Sequence, residues 1–90
     1  MTAPAQFGLI FQQFVPCEQM KRVVEVLERS QEQWLTLGEI KARTLELFGK
    51  LDSEAGVSAR IRQLKFMGLD YEKRTRGNSG RLYEYRLRRK

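Results

Sequence analysis

The 90-residue chain predicts an α+β domain with three helices, a very short strand after the first, and a C-terminal β-hairpin. Three observations predict it. Apolar residues recur at helical spacing from Met20, from Leu37 and from Val57. Thr36 and Ser53 stand where helix N-caps are wanted. From Asp70 the pattern changes to alternation on both sides of a Gly77-Asn78-Ser79-Gly80 turn.

Residues 1–16 carry Pro4, Pro16 and the apolar side chains Phe7, Leu9, Ile10, Phe11, Phe14 and Val15. This segment reads as an arm, either irregular and packed on the domain or used for dimerisation. The domain proper is read as 17–90. Helix 1 is expected from Cys17 to Gln31, because Met20, Val23, Val24 and Leu27 form one stripe. Glu18–Arg22 and Glu25–Arg29 are i,i+4 pairs on its wet side. Trp34-Leu35 supplies the short strand. Thr36-Leu37-Gly38-Glu39 is a capping box, so helix 2 starts at Leu37. Its buried side is read as Leu37, Ile40, Thr44, Leu47 and Phe48, and Gly49 is its stop.

Helix 3 is expected over about 53–67. Ser53 caps it, Val57, Ile61 and Leu64 form its buried stripe, Gly68 ends it, and Leu69 packs back. In the last segment Tyr71, Lys73 and Thr75 alternate with Glu72, Arg74 and Arg76. Tyr83, Tyr85 and Leu87 alternate with Glu84, Arg86 and Arg88. Aromatic residues are thus expected on one face and charges on the other, with the tyrosines and Trp34 in the core. A lone hairpin is marginal in water, so the short strand should join it as a third. Helix, short strand, helix, helix, hairpin is the winged-helix arrangement.

Charge is unevenly distributed. The chain carries 17 Lys/Arg and 11 Asp/Glu. Residues 60–90 hold eleven of the cations and three of the carboxylates, whereas residues 1–59 are slightly acidic. A concentrated cation suits a polyanionic partner. Cys17 is the one cysteine and there is no histidine. An intrachain disulfide, a zinc site of Cys and His ligands, and His-based catalysis are therefore excluded. No phosphate loop and no paired carboxylates on a cleft are recognisable, so an enzyme is not expected, nor a cofactor or small-molecule ligand. No apolar run approaches the ~20 residues of a membrane span. No basic residue precedes Lys21, so the start does not read as a signal peptide. A cytoplasmic protein is expected, nucleoid-associated or in a host cytoplasm if phage-encoded.

Three stretches carry a family resemblance: Trp34-Leu35-Thr36-Leu37-Gly38-Glu39-Ile40, Val57-Ser58-Ala59-Arg60-Ile61-Arg62-Gln63-Leu64 and Tyr83-Glu84-Tyr85-Arg86-Leu87. From about Met20 to Leu87 the chain resembles small winged helix-turn-helix proteins of phages and prophages. The resemblance implies a DNA-binding role, with helix 3 as recognition helix and the hairpin as wing. One stretch departs from it: Leu45 to Asp52, between helices 2 and 3, is longer than usual.

With Val57, Ile61 and Leu64 inward, the outer surface of helix 3 is read as small near its start: Ala55, Gly56, Ser58 and Ala59. Such a surface can sit deep in the major groove. Arg62 is expected to pair with guanine, Gln63 with adenine, and Ala59 to touch a thymine methyl. Ser58 and Ser53 are expected on phosphate or water, and Lys65 flanks the same surface. Arg60 lies nearer the buried side, where an ion pair and a phosphate contact are both open. The wing offers Lys73, Arg74, Arg76 and Arg81 around a tip that includes Asn78. Thr36 and Lys41 could hold phosphate at the start of helix 2. The expected function is duplex DNA binding, as a transcriptional regulator or a replication or recombination accessory factor, either as a monomer or as a homodimer. The alternative is a protein-interaction module, such as an inhibitor of a host nucleic-acid enzyme.

Overall fold

The computed structural model describes residues 16–77 and 80–88. The arm up to residue 15 and Asn78 lie outside the described residues. The described chain is α+β, with three helices and a three-stranded antiparallel sheet. In order these are α1 (Glu18–Ser30), β1 (Leu35–Thr36), α2 (Leu37–Phe48), α3 (Glu54–Arg62), a 3-10 turn (Leu64–Met67), β2 (Tyr71–Thr75) and β3 (Tyr83–Leu87). The sheet order is β1-β3-β2, a winged-helix-like layout. The short strand does join the hairpin: Leu35 lies opposite Tyr85 and Thr36 opposite Glu84.

The core forms where the three helical stripes meet the sheet. Met20, Val23, Val26 and Leu27 of α1 pack with Leu35, Ile40, Val57, Ile61, Leu64 and Tyr85. The capping box is complete. The Glu39 amide donates to Thr36 Oγ1 at 3.1 Å, and the Thr36 amide donates to Glu39 Oε1 at 2.9 Å. Ser53 caps α3 by accepting from the Gly56 amide at 2.9 Å. Gly68 takes a left-handed φ of 75°, open to glycine without strain, and the Leu69 amide closes back on the Leu64 carbonyl at 3.1 Å.

Four expectations change. Helix 3 is not continuous to Met67. The α-helix stops at Arg62, Gln63 is a joint with φ −93° and ψ 0°, and the chain tightens into a 3-10 turn that still buries Leu64. Such tightening is common where a helix runs into its cap. Leu47 and Phe48 are not core: they are 42% and 39% exposed. The apolar stripe of α2 continues through its last turn, but its fully buried positions end at Thr44. The hairpin loop is longer than four residues. Thr75 pairs with Tyr83, and Arg76 donates its amide to the Leu82 carbonyl at 2.7 Å, so the two strands part only beyond Arg76 and Leu82. Arg22 also does not pair with Glu18. It crosses to Asp52 at 2.7 Å, while Lys21 takes Glu18 at 3.4 Å.

The Arg22–Asp52 pair ties α1 to the turn before α3. The Arg22 guanidinium holds the Asp52 carboxyl below the usual carboxylate range, against the opposing effect of burial. Gln19 adds a bond to the same carboxylate at 3.3 Å. Gly56 belongs to this junction too. A Cβ there would meet Gln19 Nε2 at 2.5 Å and Ser53 Oγ at 3.0 Å. The Gln19 side chain of α1 therefore lies against Gly56, which corrects its placement on the outer surface.

Candidate nucleic-acid interface

Two adjoining surfaces carry the expected site, and they are built differently. The first joins α3 to one face of the hairpin. Period-2 geometry and the observed register put Tyr71, Lys73 and Thr75 on the same sheet face as Leu87, Tyr85 and Tyr83. Tyr85 is buried, whereas Tyr83 remains 40% exposed. The Lys73 ammonium lies 4.3 Å from the Tyr83 ring centre and 5.9 Å from that of Tyr85. Burial pushes the Tyr85 hydroxyl up, Tyr71 adds to the rise, and the positive charge of Arg62 opposes it.

Arg62 is exposed and donates to Ser58 Oγ, one turn back, at 2.9 Å. Ser58, Ala59 and Gln63 are partly exposed beside it, and Ser53 and Lys65 are exposed at the two ends. The Lys65 ammonium rests 5.4 Å from the ring centre of Phe66, itself 55% exposed. Among the described residues no carboxylate forms an ion pair with Arg62, Lys65 or Lys73. Charge left without a carboxylate partner is available to an anion.

The opposite face of the hairpin carries more positive charge but uses it internally. Arg74 and Arg76 each bond Glu84, at 2.5 and 2.6 Å, and Arg86 bonds Glu72 at 2.6 Å. Arg88 pairs with Asp70 at 3.0 Å. Trp34 is not in the tyrosine core. Two guanidinium groups lie over its ring, that of Arg74 at 4.0 Å and that of Arg86 at 4.4 Å from the ring centre. Arg76 reaches furthest, to both Glu39 oxygens at 2.9 and 3.0 Å and to the Trp34 carbonyl at 3.4 Å. Arg76 holds the Glu39 carboxyl below its ordinary value, with help from the Thr36 amide. It depresses Glu84 likewise, with Arg74 adding to the effect.

Thr36 does not fit its expected phosphate role. It is buried at 6% exposure, and its hydroxyl oxygen already accepts the Glu39 amide. Lys41 is partly exposed and Arg81 fully so. Arg60 forms no ion pair among the described residues. Its Nη1 donates to Cys17 Sγ at 3.3 Å, and its buried Nε has no partner there. The thiol is lowered by the Met20 amide first and by Arg60 second.

The sequence reading missed Glu39 and Glu84 as partners of Arg76. Alternation does place Arg74, Arg76 and Glu84 on one face, which was the available signal. No described helix is long and apolar enough to cross a membrane. Among the described residues, no group of His, Cys, Asp and Glu is placed to hold a metal. No family model, curated protein or solved structure matches the chain.

Proposed function

We propose that the chain is a winged-helix protein that binds duplex DNA, with the exposed side of α3 in the major groove and the Lys73–Tyr83 face of the hairpin beside it. The observation that carries this reading is the set of exposed cations Arg62, Lys65 and Lys73. Lys73 lies over the ring of the exposed Tyr83, and among the described residues no carboxylate forms an ion pair with any of the three. Arg62 would read guanine through two bonds, and its Ser58 contact aligns the guanidinium along the helix. Gln63, Ala59 and Ser58 would share the base edges, and Ser53, Lys41, Lys65, Lys73 and Arg81 the phosphates. A transcriptional regulator or a replication or recombination accessory factor would use such a surface.

The test is a shift assay on random-sequence duplex at two salt concentrations, followed by selection of bound sequences from a random pool. If six to ten phosphates are engaged, affinity falls about 10³- to 10⁵-fold between 50 and 200 mM salt. Binding indifferent to salt, or none at low salt, refutes the reading. A second reading, a protein-interaction module, is favoured by one observation. Leu45, Leu47, Phe48 and Leu51 leave large apolar side chains exposed around the end of α2, Leu51 at 77%. A stable protein complex from a chain that ignores duplex DNA would establish it.

A further inference from the structure

We infer that Arg76 is a positioning residue, not a phosphate contact, and that with Glu39 it forms a strut fixing the wing to the first turn of α2. This rests on the DNA-binding reading for its consequence, though not for its geometry. A guanidinium has five N–H donors. Four bonds already leave Arg76: Nε to Glu84, Nη1 to Glu39, and Nη2 to both Glu39 and the Trp34 carbonyl. The Glu39 contact is bidentate, the geometry that fixes orientation as well as distance. A phosphate arriving here would have to displace two carboxylates.

The position of these partners makes the contact a strut. Arg76 is the first residue beyond β2, and its amide closes the loop onto Leu82. It therefore sits where the tip leaves the sheet. Glu39 lies 37 residues earlier, in the first turn of α2, and its Oε1 also accepts the Thr36 amide. One carboxylate thus caps the helix that precedes α3 and holds the root of the wing. The wing's angle to α3 is set by that carboxylate together with the three-stranded pairing.

Two conservative variants separate this role from phosphate binding, because the two roles predict opposite signs. Glu39→Gln keeps a side-chain oxygen for the capping box but removes the charge that holds Arg76. If Arg76 met phosphate, removing a competing negative charge would leave binding unchanged or tighten it. The strut predicts several-fold weaker binding to random duplex, with the salt slope of the parent chain. Arg76→Lys keeps the charge and loses the fork. The strut predicts weakening here too, whereas a phosphate contact would survive. A salt slope lower by about 0.9 in Arg76→Ala marks a lost phosphate contact and overturns the inference.

A second readout needs no DNA. Amide chemical-shift changes from Glu39→Gln should extend from α2 to Thr75, Arg76 and Leu82. Confinement to α2 overturns the strut even if the protein binds DNA. Propagation to the wing in a chain that binds no DNA upholds the strut and refutes only the DNA-binding reading.

Discussion

The two faces of one hairpin use the same kind of charge in opposite ways. On the tyrosine face, Lys73 lies over aromatic rings, and neither it nor Arg62 of α3 forms an ion pair with a carboxylate among the described residues. On the other face, Arg74, Arg76 and Arg86 meet Glu84, Glu39 and Glu72, and Arg74 and Arg86 also lie over the Trp34 ring. Net charge treats these cations as equals. Geometry divides them into a set open to an anion and a set that holds the sheet to α2. The excess of cations after Arg60 therefore overstates the charge a polyanion would meet on the arginine face, and leaves α3 as the sharper part of the surface.

The largest expected effect is at Arg62. Arg62→Ala should cost about 1–3 kcal/mol on the preferred sequence, as for a lost bidentate base contact, and little on random duplex. Competition binding with both duplexes checks it, and equal losses on the two would break the division between reading and gripping. Lys73→Ala comes next. Its loss should be similar on every sequence, and the slope of log affinity against log salt should fall by about 0.9. A variant with the parent slope would place the contact surface elsewhere than the tyrosine face.

The elements were legible in the sequence because each depends on local rules. The stripe of Val57, Ile61 and Leu64 and the box at Thr36 and Glu39 are short-range patterns, and both are present. The fate of the charged side chains was not legible, because it depends on partners distant in sequence. Alternation puts Arg76 on the polar face, but nothing near residue 76 says that Glu39 comes beneath it. Gly56 fails for a related reason. A small residue on an outer arc of a helical wheel reads as groove-facing, and only the approach of Gln19 shows that α1 covers it. Leu47 and Phe48 continue a correct stripe past the end of the core it faces, and periodicity does not mark where a neighbouring element stops.

Trp34 tests the locked face directly. Trp34→Leu removes the ring that Arg74 and Arg86 lie over while keeping an apolar side chain. Each exposed cation–π contact is worth about 0.5–1 kcal/mol, and about 1 kcal/mol lowers the Tm of a domain this size by roughly 4–8 °C. Thermal unfolding followed by circular dichroism measures it. An unchanged Tm would mean that the arginine face is held by its carboxylates alone.

The smallest effect is read from the pH dependence of stability. Glu39 and Glu84 sit below their ordinary values because Arg76 favours their charged forms, and Asp52 does so because of Arg22. A carboxyl depressed in the folded chain binds its proton more weakly there than in the unfolded chain. The unfolded chain therefore takes up more protons as pH falls through its own values, about 3.9 for Asp and 4.3 for Glu. Stability from these pairs is present in full above that range. It is lost progressively as pH drops through the folded values, and stops changing once both states are protonated. Tyr85, raised by burial, acts at the other end of the scale, where stability falls once alkaline pH ionises the hydroxyl in the unfolded chain. Urea midpoints measured from pH 7 to pH 3 should stay level in the neutral range and fall below about pH 4.3. Glu84→Gln should flatten that fall while lowering the plateau. It removes a carboxylate that favours the folded chain only when charged, and it leaves Arg74 without that partner. A fall as steep as the parent's would assign the acid sensitivity to Glu39 and Asp52 instead of to Glu84.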